Sequence, residues 1–188
     1  MTRRGTTAAD PSACQGMITR KRGAYFVTVV THQRECLFGE IADGQALLTD
    51  CGEAVAQEWR RSTKIRREIQ LDAFVVMPNH IHGIVIMGGR TAVGAHGRAP
   101  LHRAPRSLGS FVAGFKSAVT KRINEMRGAP GLPLWQRNYY EHIIRDEDEL
   151  DRVRQYIVDN QARWEDDVEN PRYHPNRASS GRLSDTLV

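Results

Sequence analysis

The sequence predicts an α+β fold in which four strands alternate with three helices. Residues 24–31 are dense in aromatic and β-branched side chains, the composition that strands favour. The pair Pro78-Asn79 lies between two apolar segments and predicts a tight turn that joins two neighbouring strands. Residues 107–127 repeat apolar side chains at close to the helical period. Strands and helices therefore both contribute to the predicted core.

The order of the elements along the chain indicates a specific arrangement. Acidic pairs with capping-box spacing, Asp50 with Glu53 and Asp146 with Glu149, predict the starts of the first and last helices. The predicted elements are a strand at 24–31, a helix at 50–64, strands at 69–77 and 80–87, a helix at 107–127, a strand at 139–144 and a helix at 146–164. This is the ferredoxin-like βαββαβ order with one additional C-terminal helix.

Composition indicates one domain with polar ends. The chain has 188 residues, of which 40% are hydrophobic, enough to bury a core. We place the domain at 17–165, a basic arm at 1–16 and a loose tail at 166–188, and we expect residues 88–107 to form a flexible basic loop. No apolar run approaches the ~20 residues of a membrane span. Three cysteines without CxxC spacing favour reduced thiols and a cytoplasmic location.

The balance of charge suggests a nucleic-acid partner. The chain has 27 Lys and Arg against 22 Asp and Glu, a net charge of +5. Most of the basic residues are arginines, whose planar fork suits phosphate. Arg145, Lys116, Lys121 and Arg122 are candidates for contacts with DNA phosphates, although Lys116 and Lys121 also fit a solvated helix face.

The sharpest local feature is a pair of histidines that opens a predicted strand. Residues two apart in a strand project to the same face, so His80 and His82 would present two imidazoles side by side. Such a pair suits a divalent cation with two nitrogen ligands. A purely structural pair is the alternative, but burying two imidazoles without a partner would be costly.

The predicted last helix adds two polar side chains at the edge of its apolar stripe. Each residue of a helix turns about 100°, so Tyr156 and Asn160 lie about 40° apart. If this helix packs on the sheet, a hydroxyl nucleophile and an amide oxygen reach one small volume. An ordinary core-edge tyrosine and a polar residue near a helix end are the alternative reading.

Three blocks of sequence resemble a known family. They are the segment from Met77 to Gly83, the segment from Trp135 through Arg145, and Tyr156 with Asn160. Together, and in this order, they resemble the REP-associated tyrosine transposases, which belong to the HUH superfamily named for its histidine, hydrophobic, histidine motif. The resemblance covers roughly residues 17 to 165.

The resemblance implies a ferredoxin-like domain that binds Mg²⁺ or Mn²⁺ through His80, His82 and Asn160. Tyr156 then matches the nucleophile that forms a 5′-phosphotyrosine. The family often has proline after this asparagine, whereas Gln161 follows here and competes as the amide ligand. His142 is a candidate base, with a buried structural histidine as the alternative.

The implied substrate is single-stranded DNA next to a palindromic hairpin, in a bacterial, nucleoid-associated protein that acts as a monomer or homodimer. One tyrosine per chain requires cleavage and rejoining to be sequential or shared between protomers. Two alternatives remain: a replication initiator or relaxase with the same site chemistry, and a non-catalytic nucleic-acid-binding module. The short chain argues against the first, and histidines in place of base-stacking aromatic residues on the central strand argue against the second.

Overall fold

The computed structural model describes residues 23–88 and 107–173. The predicted basic arm, nearly all of the predicted 88–107 loop and the end of the predicted tail lie outside the described residues. The elements are β1 (Gly23–Val30), β2 (Gly39–Ala42), β3 (Gln45–Leu48), α1 (Asp50–Ile65), β4 (Ile69–Val76), β5 (His80–Met87), α2 (Leu108–Met126), β6 (Tyr140–Ile144) and α3 (Glu147–Asp159). No helix in these two ranges is long and apolar enough to cross a membrane.

Four strands form one antiparallel sheet in the order β4-β5-β1-β6. The two central strands, β5 and β1, lie side by side in the sheet, although α1 and β4 come between them along the chain. This strand order and the helices between the strands confirm the predicted ferredoxin-like α+β class. The register places Thr28 opposite His82 and Val30 opposite His80.

The sheet separates two apolar cores. Trp59 of α1 and Phe111 of α2 belong to the core on one face. Leu150, Val153 and Ile157 of α3 belong to the core on the other face. Because successive strand residues point to opposite faces, β5 directs its histidines toward α3 while Ile81 between them joins the α1 and α2 core.

The helix starts follow local capping, with one difference from the prediction. Asp146 caps α3 by accepting a hydrogen bond from the Glu149 N–H, as its capping-box spacing predicts. The cap of α1 is Thr49 rather than Asp50, since the Thr49 hydroxyl accepts from the Gly52 N–H. Asp50 instead lies in the first turn, where its charge favours the helix N-terminus.

Three further features differ from the sequence-based expectations. A β2–β3 hairpin precedes α1, and Asp43 and Gly44 form its turn with positive φ angles of 51° and 71°. Helix α3 ends at Asp159, and a 3₁₀ segment, Gln161–Asp166, follows it. Residues 166–173 were expected to belong to a loose tail, but they fold back beside β5, because Glu169 and Asn170 make hydrogen bonds to the domain.

One glycine in β5 is required by packing. A Cβ on Gly83 would lie 2.4 Å from Cζ2 of Trp59, a ring that is buried and stacked on Phe74. Any larger residue at this position would therefore displace the α1 core or the strand that carries His82.

Candidate metal centre

The two predicted histidine ligands lie together on the α3 face of the sheet, under the covering helix. Nε2 of His80 and Nε2 of His82 are 3.0 Å apart, and both side chains are buried. The ring of Phe26 on β1 stacks on His82 at 5.2 Å between centroids. At this distance one cation can bind both nitrogens.

Hydrogen bonds to the far side of each ring orient these nitrogens. His80 Nδ1 lies 2.8 Å from Oδ1 of Asn79, which only accepts, so Nδ1 carries the proton and Nε2 keeps its lone pair. His82 Nδ1 lies 2.8 Å from the hydroxyl of Thr28, which can accept in the same way. Partners of this kind fix the tautomer and orientation of metal-binding histidines.

Burial keeps both imidazoles neutral. Removal from water lowers the pKa of His82 to about 3. The same burial, reinforced by the neighbouring His82, holds the pKa of His80 well below the ordinary histidine value. Neutral imidazoles bind metals without first releasing a proton, so this pair is ready for a cation at neutral pH.

A carboxylate that the sequence interpretation missed completes the cluster. Oδ2 of Asp167 lies 3.6 Å from Nε2 of His80, and the ligand atoms of His80, His82 and Asp167 all lie within 4.8 Å of one another. Burial raises the pKa of Asp167 to about 6. Asp167 follows the 3₁₀ segment in a polar stretch without periodicity, so no sequence signal distinguished it from the expected tail.

Two oxygens at this cluster lack hydrogen-bond partners among the described residues. They are Oδ2 of Asp167 and Oδ1 of Asn160, both buried. An unpaired buried acceptor normally costs about 1–3 kcal/mol, so each of these oxygens requires an explanation. A cation held by His80, His82 and Asp167 would satisfy the Asp167 oxygen, and two imidazole nitrogens with a carboxylate oxygen form a donor set suited to a divalent ion. These residues therefore fit the implied metal.

The predicted nucleophile lies beside this cluster. The ring of Tyr156 is 5.3 Å from that of His82 and 5.8 Å from that of Phe26, between centroids. Burial, together with the negative charge of Asp167, raises the pKa of Tyr156 to about 12. The structure thus brings Tyr156 and Asn160 to the histidine pair, while their catalytic and ligand roles remain predictions.

Asn79 connects the histidine strand to the returning chain. Its Nδ2 donates to the backbone oxygens of Arg34 and Glu169, at 3.1 and 2.7 Å, while its Oδ1 faces His80. The side chain is fully buried. The sequence placed Asn79 in a turn and in the block that resembles the transposases, without a role of its own, yet Asn79 holds both His80 and the segment that carries Asp167.

Two other predicted candidates have structural partners. Oε1 of Gln161 accepts a hydrogen bond from the N–H of Ala46 in β3, which disfavours its use as the amide ligand. Nε2 of His142 lies 2.7 Å from a carboxylate oxygen of Glu149, at the start of α3. This contact favours the structural interpretation of His142 over its use as a base.

Three of the four predicted phosphate-binding residues lie away from the cluster. Lys116, Lys121 and Arg122 belong to α2, on the opposite face of the sheet from His80. Lys116 Nζ donates to the backbone oxygens of residues 136, 137 and 138, and Arg122 contacts Glu58 and Gln57. Lys121 and Arg145 are exposed. Helical spacing could not reveal which face of the sheet α2 would cover.

Comparisons with known proteins give one close relative and two structural neighbours. No family model matches the chain. An uncharacterized protein of Haemophilus influenzae is 37% identical over 155 residues, which are 79% of this chain and 85% of that protein. The structure is similar to a REP-associated tyrosine transposase bound to a REP hairpin, at 19% identity and a TM-score of 0.49 over 79% of this chain and 72% of the other. It is also similar to a proposed transposase from Deinococcus radiodurans, at 18% identity and a TM-score of 0.45 over 79% of this chain and 97% of the other.

Proposed function

We propose that this chain, which belongs to the same family as the Haemophilus influenzae protein, is a metal-dependent endonuclease of the transposase type. In this proposal it cleaves and rejoins single-stranded DNA through Tyr156. One observation carries the proposal: two oriented imidazole nitrogens, 3.0 Å apart, lie beside the side chains of Asp167, Tyr156 and Asn160. The sequence blocks that resemble the tyrosine transposases contribute four of these five side chains.

The proposed ligands are His80, His82 and Asp167, with the amide oxygen of Asn160 beside them. Oxygen ligands suit hard cations and imidazole suits first-row transition metals, so Mn²⁺ or Mg²⁺ is the expected ion. When bound, such an ion polarises a phosphoryl oxygen and neutralises the charge that develops on it. Asn79 and Thr28 keep the two imidazoles in the tautomer that this role requires.

The proposed reaction exchanges one phosphoester for another. The phenolic oxygen of Tyr156 attacks the phosphorus, its proton passes to solvent, and the bond from phosphorus to the 3′-oxygen breaks. The 3′-oxygen takes a proton and leaves as a hydroxyl, while the 5′ end stays on the tyrosine as a phosphodiester. The high pKa of Tyr156 means that the free phenol is a weak nucleophile, so it needs a neighbouring positive charge.

Reversal of this step by another strand completes the proposed function. The phosphotyrosine retains the ester, so the 3′-hydroxyl of an incoming strand can attack it and release Tyr156 without ATP. The expected substrate is a single strand that flanks a palindromic hairpin. Transposition fits this chemistry because one strand is joined for each one cut.

The decisive experiment is the formation of a covalent adduct. Purified full-length protein is incubated with labelled single-stranded hairpin oligonucleotides and Mn²⁺, and denaturing gels separate the protein–DNA adduct. Tyr156→Phe should abolish the adduct, whereas Tyr140→Phe should retain it, because Tyr140 also contacts Phe26 but is 50% exposed. An adduct that forms at the wild-type rate with Tyr156→Phe would refute the assignment of the nucleophile.

The third ligand can be tested without DNA. Isothermal titration with Mn²⁺ should show at least tenfold weaker binding for Asp167→Asn than for the wild type. Gln161→Leu should bind Mn²⁺ as the wild type does, since Gln161 bonds to Ala46. Wild-type affinity in the Asp167→Asn variant would remove that carboxylate from the site and leave Asn160 as the candidate.

A further inference from the structure

The turn that follows β1 brings an arginine to the edge of the histidine cluster. Residues His32–Arg34 form a short 3₁₀ turn directly after this strand. Nε of Arg34 donates to a carboxylate oxygen of Glu169 at 2.8 Å, and the Glu169 N–H donates to Oδ1 of Asp167 at 2.7 Å. Burial raises the pKa of Asp167, and the positive charge of Arg34 opposes this rise. Arg34 is therefore a cation at the cluster to which the sequence patterns assigned no role.

The backbone of this turn is held in a conformation that most side chains disfavour. Gln33 and Arg34 have φ angles of 54° and 57°, in the left-handed region that glycine alone enters without cost. Such strain persists where surrounding contacts fix the backbone, and it concentrates at functional sites. Here Nδ2 of Asn79 donates to the Arg34 carbonyl at 3.1 Å, while Oδ1 of the same amide faces His80. One buried amide thus positions both the Arg34 backbone and a proposed ligand.

The ion pair with Glu169 leaves one edge of the Arg34 guanidinium open. Glu169 accepts only from Nε, and Nη1 and Nη2 have no hydrogen-bond partner among the described residues. The Arg34 side chain is 49% exposed, whereas that of Glu169 is 20% exposed. Because the guanidinium is a planar fork with donors on two edges, an ion pair through Nε leaves the edge formed by Nη1 and Nη2 for a second anion.

The anion expected at this place is a phosphate of the DNA strand. A metal ion at the histidines would contact one phosphodiester, and the backbone of a strand carries the next phosphate only one nucleotide away. The contacts that lead from Arg34 to the imidazoles run through Glu169 and Asp167, so the guanidinium lies beside the cluster rather than inside it. This placement suits a neighbouring phosphate better than the scissile one.

We propose that Nη1 and Nη2 of Arg34 bind a phosphate next to the scissile one and so position the single strand at the metal centre. This inference rests on the proposed action on single-stranded DNA and adds a contact to that same site. Phosphate contacts of this kind fix the register of a strand without reading its bases. The competing role is purely structural: Arg34 would only tie the returning segment to the domain through Glu169.

The test measures binding without the nucleophile. Full-length Tyr156→Phe protein is the parent, and it is titrated with Mn²⁺ into a short fluorescein-labelled single strand of mixed sequence. Fluorescence anisotropy gives Kd at several KCl concentrations. Arg34→Gly removes the guanidinium and suits the positive φ angle. Gln33→Gly is the matched control, because it relaxes the neighbouring positive φ angle and keeps the guanidinium.

Arg34→Gly should weaken single-strand binding at least fivefold at low salt. It should also lower the slope of log Kd against log salt by about 0.7, the value for one phosphate of a single strand. Arg34→Gln, which keeps a side-chain stem, should show the same loss. Gln33→Gly should leave Kd within twofold and the slope unchanged, and so should Arg127→Gln, which removes an exposed cation at the end of α2.

Glu169→Gln separates the phosphate role from the structural one. It weakens the same ion pair as Arg34→Gly but keeps the guanidinium and removes a negative charge. Glu169→Gln should therefore bind the single strand at least as tightly as the parent. Thermal melting verifies that each variant folds. Equal weakening by Arg34→Gly and Glu169→Gln, or a salt slope that Arg34→Gly does not change, would overturn the proposal.

The outcome is distinguishable from that of the proposed catalysis, because the adduct assay depends on the Tyr156 hydroxyl and the binding assay lacks it. Adduct formation by the wild type, with single-strand binding that Arg34→Gly does not change, would refute the phosphate contact alone. Single-strand binding that depends on Arg34, without any wild-type adduct, would refute the nuclease alone.

Discussion

Replacement of Gly83 by alanine tests how the α1 core positions the histidine strand. The new Cβ would lie 2.4 Å from Cζ2 of Trp59, about 1 Å closer than ordinary carbon contacts allow. Trp59 cannot move cheaply, because it is 2% exposed and stacks on Phe74 with centroids 4.8 Å apart. Overpacking of this kind costs about 1–3 kcal/mol, and we expect Gly83→Ala to lower the free energy of unfolding by that amount.

Urea unfolding followed by tryptophan fluorescence measures this change. Gly114→Ala is the matched control, because a Cβ on Gly114 of α2 meets nothing within 4 Å. That variant should raise stability by about 0.5–1 kcal/mol, since alanine favours helix over glycine. In a Trp59→Phe background the cost of Gly83→Ala should shrink, because the clashing ring is smaller. A Gly83→Ala variant as stable as the wild type would refute the packing argument.

Three further predictions concern the site and its support. Thr28→Val should weaken Mn²⁺ binding by about 10–100-fold in isothermal titration, because His82 loses the hydroxyl that orients it. Mn²⁺ at 100 times its dissociation constant should stabilise the wild type by about 2.7 kcal/mol in chemical unfolding and leave His82→Ala unchanged; an equal shift in both would mean that the ion binds elsewhere. Burial alone would raise the pKa of Asp72, but hydrogen bonds from Arg154 and from the Ala73 N–H outweigh it and lower that pKa. Asp72→Asn should therefore cost about 1–3 kcal/mol near neutral pH, and the difference from the wild type should disappear as acid protonates Asp72; a difference that persists in acid would contradict this.

The sequence predicted the sheet and the histidine pair because both follow from local periodicity. Strand alternation alone places His80 and His82 on one face, and the strand order follows from the number and order of the elements. The β2–β3 hairpin had a signal in Asp43-Gly44, a common hairpin turn, but its strands are only four residues long. Short, half-exposed strands produce little alternation, so the pattern was weak.

The parts of the site that the sequence did not reveal depend on long-range packing. Asp167 reaches the histidines because the chain reverses after α3, and no periodic pattern marks this reversal. Asn79 acts through two backbone oxygens from distant segments, one of them 90 residues away. Lys116 stays a candidate for phosphate contact, but the sequence did not reveal that its Nζ donates to the Gln136 backbone oxygen, since its surroundings are set by how α2 packs.

The double attachment of Asn79 has a practical consequence for choosing where to truncate the chain. A shortened form that stopped at residue 165, where helical periodicity runs out, would delete the Glu169 carbonyl and leave one amide proton of Asn79 without its acceptor. The same cut would remove the carboxylate of Asp167 from the imidazoles. A fragment of that length would lose the proposed metal site for reasons unrelated to Tyr156, so expression work should retain the chain through residue 173 at least.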